Sequence, residues 1–158
     1  MLNVKIICVG NLKEKYWKDA CDEYKKRLTP LCKFSIIELS EAKTEKNPSV
    51  ASIEKALLEE GKAIIQAATG SVIIPLCIEG ELVSSDGLAK LLGETALRGQ
   101  SSVSFVIGSS HGLSEEVKSK GRGISMSPMT FPHQLARVML CEQVYRAFQI
   151  TMGTKYHK

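Results

Sequence analysis

Short apolar runs alternate with longer helical stretches along the whole chain, and glycine, proline or serine marks each change of period. Residues 4–9 form a mostly apolar run that stops at Gly10, which predicts a first strand. Over residues 12–28, Tyr16, Ala20 and Tyr24 recur every four positions with Trp17, Cys21 and Leu28 beside them, the spacing of a buried helix face. Thr29-Pro30 ends that helix, because proline cannot continue it. A second strand is expected at 34–39, followed by a charged loop over 40–49 that contains Asn47-Pro48. A helix follows over 49–68, then a strand over 72–78 with a turn at 79–81. Ser84 or Ser85 is expected to cap a helix reaching Leu97, and Ser114 a short helix after a strand at 103–107. A short fifth strand at 123–127 and a helix from about His133 to Met152 complete the pattern. Strands that alternate with helices imply an α/β domain, a mainly parallel sheet with helices on both faces. The runs at 72–78 and 103–107 are apolar on both alternations, as strands covered on both sides are. A length of 158 residues fits one domain, 1–158.

Ligands in such sheets bind outside the carboxyl ends of the strands. That directs attention to 76–80, 108–112 and 127–132. The segment SFVIGSSHGLSEE (104–116) reads as strand, glycine-bearing turn and helix start, and glycine lets backbone approach a ligand closely. It is neither GxGxxG nor followed by GK[ST], so dinucleotide and phosphate-loop readings are weak; a plain tight turn also accounts for it. The loop SPMTFPH (127–133) has two prolines and few charges. A stiff, uncharged loop with free backbone groups suits an adenine and ribose better than a phosphate. A simple turn into the last helix is the other reading.

The net charge of +4 is unevenly spread. Residues 1–33 hold eight Lys/Arg against four Asp/Glu, residues 34–130 nine against twelve, and residues 131–158 four against one. Were the fold to bring the two basic ends together, they would form a face suited to phosphates; a solvated mixed-charge surface accounts for the same numbers. The cysteines, Cys8, Cys21, Cys32, Cys77 and Cys141, are odd in number and contain no CxxC pair. This argues against a disulfide framework or a zinc site and fits a reducing cytosol, so a cytoplasmic protein without metal is expected. No run approaches the roughly 20 apolar residues of a membrane span. The N-terminal run reads as a strand rather than a signal peptide.

The last helix, HQLARVMLCEQVYRAFQITM, carries two narrow polar stripes on an otherwise apolar surface. His133 and Arg137 fall within roughly 40° of each other, and Glu142, Arg146 and Gln149 cluster near the opposite direction. Such a helix is buried on more than one side, which a homodimer interface would explain. Glu142 and Arg146 have ion-pair spacing, and a structural pair is as good a reading as a catalytic one. For Tyr156 and His157, close to the chain end, composition favours a solvated tail over a docked one.

Five segments carry a resemblance: VGNLKEKYW (9–17), EYKKRL (23–28), FVIGSSHGL (105–113), SMSPMTFPHQLARVMLCEQVYRA (125–147) and KYHK (155–158). On these the sequence resembles the small SPOUT-class methyltransferases that act on N3 of a pseudouridine in large-subunit ribosomal RNA, over nearly the full length. The resemblance implies a C-terminal trefoil knot, a rare departure from ordinary topology. It implies S-adenosyl-L-methionine bound in a bent form by Leu76, Gly108 and the loop Ser127, Pro128, Met129, Thr130, Phe131 and Pro132. It also implies a homodimer with each site near the interface, and methyl transfer without a metal. His133, His157 or Tyr156 would serve near N3, and Arg137 and Arg146 would hold phosphates or developing charge. With no appended RNA-binding domain, recognition of the assembled ribosome by shape is expected. The family pattern is departed from at Ser109, where a second glycine is usual, at Pro75 within a strand, and at Glu81, where a lysine is usual. The residues alone leave open a methyltransferase of another RNA, a non-catalytic RNA-binding module and a flavodoxin-like nucleotide-binding protein.

Overall fold

The computed structural model describes residues 1–158. The elements run β1 (Asn3–Val9), α1 (Lys15–Leu28), β2 (Lys33–Leu39), α2 (Val50–Ala67), β3 (Val72–Leu82), α3 (Ser85–Leu97), β4 (Ser102–Ile107), α4 (Glu115–Ser119), β5 (Ile124–Ser125) and α5 (His133–Thr151). All five strands are parallel, in the order β2-β1-β4-β3-β5. The two-residue period of β1 and β4 divides their side chains between two cores. Val4, Ile6 and Cys8 with Val103, Phe105 and Ile107 face α1, α3 and α5, where Leu140, Cys141, Val144 and Ala147 complete the packing. Ile7, Val9 and Val106 face α2 and α4, against Ile64 and Val117. Ser104 interrupts the apolar pattern of β4, and its hydroxyl is satisfied by Ser71 Oγ at 2.8 Å.

Ser84 and Ser114 cap their helices as the sequence implies, and Ser49 caps α2. Ser49, Ser84 and Ser114 accept hydrogen bonds from the amides of Ser52, Gly87 and Val117 at 3.1, 3.0 and 3.2 Å. Each is worth about 1 kcal/mol to its helix.

One strand differs from expectation in a way that shapes the site. The apolar run predicts a strand ending near residue 78 with a turn at 79–81. Instead β3 leaves its ladder with β4 after Pro75, which pairs with Val106, and resumes further on. Leu76 and Glu81 both register with Ile124, so residues 77–80 loop out between them. The strand returns because position 80 is glycine: a Cβ there would lie 2.6 Å from the Ile124 carbonyl carbon. Glu81 and Val83 then donate their amides to the carbonyls of Gly123 and Ser125. Pro75 stands at the last paired position, where β3 leaves the ladder in any case. The fifth strand is shorter than the expected 123–127.

Candidate active site

The carboxyl ends of β3, β4 and β5 lie side by side and enclose a cavity of about 430 Å³. Three segments wall it: the looped part of β3, the turn after β4, and the loop between β5 and α5. The turn after β4 closes tightly on itself. A Cβ at Gly108 would lie 2.2 Å from the Gly112 carbonyl oxygen, and Gly112, at φ +87°, donates its amide to the Ser109 carbonyl at 2.9 Å. A glycine at 108 leaves backbone where a side chain would otherwise collide.

Beneath this turn lies a buried carboxylate. Ser109 is 2% exposed and donates its hydroxyl to Glu60 Oε1 at 2.9 Å. The other oxygen of Glu60 accepts the amide of Ala42 at 2.9 Å. Glu60 thus ties the cavity wall to the loop 40–49. Gly61 lets α2 come this close, since a Cβ there would lie 2.7 Å from Ser114 Oγ. Glu81 forms a two-pronged pair with Arg122 at 2.9 and 2.6 Å.

The opposite wall is rich in unused backbone. Residues 126–131 take part in no backbone–backbone hydrogen bond. Only the Met129 amide is engaged locally, by Ser127 Oγ at 3.0 Å, together with the Ser127 carbonyl, by Ser125 Oγ at 3.0 Å. Of the residues expected around a ligand, Leu76, Gly108, Ser127, Met129, Thr130, Phe131 and His133 line the cavity. Pro128 and Pro132 do not line it; Pro132 instead occupies the N-cap of α5.

The other polar residues singled out in the sequence lie elsewhere. Arg137, 5% exposed, ties α5 to the ends of β1 and β2: its guanidinium meets Glu38 Oε2 at 2.6 Å and the Gly10 carbonyl at 3.1 Å. The C-terminal tail forms a third group. Arg146 donates twice to Glu142 Oε1, at 3.0 and 2.7 Å, and Tyr156 donates its hydroxyl to the same oxygen at 3.1 Å. Arg146 Nη1 is 3.2 Å from His157 Nδ1, whose other ring nitrogen lies 3.7 Å from Asp86 Oδ2. The Arg146 guanidinium sits 4.8 Å from the centre of the Tyr156 ring, which also meets Tyr145 edge-on at 5.0 Å. Tyr156 and His157 are half-buried, so the tail is docked, where composition favours a solvated one. Burial, and then the Glu142 carboxylate, raise the Tyr156 pKa above its ordinary value, so the phenol keeps its proton at neutral pH. His133 and Arg146 are thirteen residues apart on one helix, about 20 Å at 1.5 Å per residue.

Residues 2–157 match the family described as "Predicted SPOUT methyltransferase". The chain belongs to the SPOUT methyltransferase family. It is 46% identical over 159 residues to the ribosomal RNA large subunit methyltransferase H of Clostridium novyi (strain NT), covering 99% of this chain and all of that protein. The same identity and coverage hold for the protein of that name from Clostridioides difficile (strain 630). A crystal structure of a methylase-family protein from Neisseria gonorrhoeae is similar in fold. Its TM-score is 0.54 at 21% identity, over 91% of this chain and 82% of that one.

A SPOUT methyltransferase needs a methyl donor, and the cavity at the three strand ends is where this chain offers room for one. The strand-end rule directed attention to segments of all three walls of that cavity, 76–80, 108–112 and 127–132. It missed Glu60 and Lys118. Glu60 had a signal: Ala56, Glu60 and Ile64 follow one another at helical spacing, so a carboxylate interrupts a buried stripe. Lys118 had none, since its partner Glu79 lies on a different element.

Proposed function

We propose that this chain transfers a methyl group from S-adenosyl-L-methionine to N3 of a pseudouridine in large-subunit ribosomal RNA, working as a cytoplasmic homodimer on the assembled ribosome. The observation that carries this is the cavity walled by a closed glycine turn on one side and unpaired peptide groups on the other. Its volume falls within the roughly 300–1,000 Å³ of small-ligand sites. The free peptide groups of 126–131 suit the edge of an adenine, and Gly108 lets the turn after β4 close on Gly112 to form the facing wall. The names of the two clostridial relatives support the RNA substrate.

Bound in the cavity, the donor would supply a sulfonium-activated methyl group to N3 and leave as a neutral thioether, while the N3 proton would pass to a group of the protein or to water. The protein's task is then largely alignment, plus a group to take or offset that proton. His133, in the cavity lining, is one candidate for that group. His157 is another. Tyr156, protonated at neutral pH, suits donation to a developing anion rather than proton removal. Arg137 is committed to Glu38, so its part is to hold α5 in place; Arg146 holds the tail.

Distance supports the homodimer. Within one chain the tail group lies about 20 Å along α5 from His133. A second copy with its α5 running the opposite way would bring the tail of one protomer to the cavity of the other. The knot expected of the family would lie where the chain entering β5 runs against β3: a Cβ at Gly121 would fall 1.8 Å from the Ile73 carbonyl oxygen.

The test is made in cells lacking the gene. Large-subunit RNA is digested and N3-methylpseudouridine measured by mass spectrometry. The modification is expected to be absent, to return with the wild-type gene, and to stay absent with Gly108→Val, which fills the turn. An unchanged nucleoside profile in the deletion strain would overturn the proposal.

A further inference from the structure

The wall of the cavity is almost without formal charge. Among the side chains lining it, Glu79 and Lys118 alone carry a carboxylate or an ammonium group. They stand together, with Lys118 Nζ 2.5 Å from Glu79 Oε1. Each strengthens the other's charge: hydrogen bonding to Lys118 lowers the Glu79 pKa, and hydrogen bonding to Glu79 raises that of Lys118. Both are charged at neutral pH.

Their supports differ. Glu79 comes from the part of β3 that loops out between Leu76 and Glu81, and its side chain is 60% exposed. Lys118 comes from α4, and its side chain is 26% exposed. That short helix is held firmly: Ser114 caps it, Val117 is fully buried, and Gly61 lets α2 press against Ser114. The ammonium therefore projects from a rigid base, while its partner projects from an irregular strand.

A methyl donor of the S-adenosylmethionine type has two unlike ends. The adenine and ribose are uncharged. The amino-acid end is a zwitterion and needs one cation and one anion close together. We infer that Glu79 and Lys118 form the subsite for that zwitterion, Lys118 facing the α-carboxylate and Glu79 the α-ammonium. This rests on the reading of the cavity as the donor site. An ion pair open to water contributes little on its own, so exchanging it for two pairs with the ligand costs little. Lys118 keeps a second carboxylate nearby, Glu115 Oε1 at 3.5 Å, throughout. The arrangement reads the amino-acid end independently of the nucleoside.

5′-Methylthioadenosine separates the two ends, because it keeps the adenine, ribose, sulfur and methyl but lacks the amino-acid group. Calorimetric titration of purified wild type, Lys118→Met, Glu79→Gln and Lys118→Arg with S-adenosylmethionine and with 5′-methylthioadenosine tests the inference. Lys118→Met is expected to weaken S-adenosylmethionine binding about tenfold or more, the usual size of a lost charge-assisted hydrogen bond. Glu79→Gln weakens it by less, and Lys118→Arg recovers most of the loss. Binding of 5′-methylthioadenosine stays within about twofold of wild type in all three, since a neutral ligand forgoes the charge-assisted bonds. Equal losses for both ligands would mean general damage to the cavity, and no loss for either would mean the pair is unused; both overturn the inference. Wild type that bound neither nucleoside would overturn the donor reading itself.

Discussion

Glu60 is the residue on which the cavity wall and the loop 40–49 both depend. Its two carboxylate oxygens are committed to Ser109 and Ala42, and it is 5% exposed. Truncation would strand a buried hydroxyl and a loop amide, each costing about 1–3 kcal/mol when left unpaired. Glu60→Ala is expected to lower the unfolding free energy by about 2 kcal/mol or more, read as a lower urea midpoint at an unchanged slope of the transition. An unchanged midpoint would mean that water replaces the carboxylate at no cost. At this scale the sequence was partly legible. The stripe Ala56, Glu60, Ile64 held a signal of a charge on a buried face that the sequence reading passed over, and the serine that meets it lies 49 residues away on another element. Arg137 illustrates the opposite case. Its helical phase put it beside His133, but its side chain turns to the ends of β1 and β2, which helix periodicity cannot reveal.

Among the elements, the serine caps were readable because capping is local: the hydroxyl and the amide it accepts from are three residues apart. The break in β3 was not, because it is set by Ile124 on β5 and by a glycine that admits it. The docked tail was hidden for the same reason. Its anchors, Glu142, Arg146 and Tyr145, lie on α5, and only folding turns a polar chain end into a partner for them. Tyr156→Phe removes the hydrogen bond to Glu142 and keeps the ring against Arg146. His157→Ala removes the contact with Arg146. Each is expected to reduce methyl transfer at saturating donor by about tenfold or more, the scale of acid–base or charge-stabilising groups. Donor affinity should change less than the rate, because these groups are proposed to act at N3 rather than on the donor. Full activity in both variants would remove the tail from the mechanism.

The molecule as a whole keeps four cysteines inside its cores. Burial pushes the thiol of Cys8 up to about 12 and that of Cys32 up to about 11, from an ordinary value of 9.0. Above pH 9 the unfolded chain releases these protons while the folded chain retains them. Stability therefore falls as pH rises from about 9 towards 11 and 12, and is unaffected by these groups below that window. Urea midpoints measured across it should decline, with a shallower decline in Cys32→Ala; a flat profile would contradict the burial described. The parallel sheet was legible from the alternation of periods, since strands covered on both faces must be apolar on both. Strand order was not, because the crossings that set β2-β1-β4-β3-β5 leave no trace in local pattern.

The measurement that bears most directly on the central claim is methyl transfer in a purified system. Labelled S-adenosylmethionine is incubated with the protein and either assembled ribosomes or free ribosomal RNA, both from cells lacking the gene. The account predicts label on N3 of one pseudouridine of the large-subunit RNA, mainly with assembled ribosomes. Folded protein that binds the donor yet labels neither substrate would contradict it.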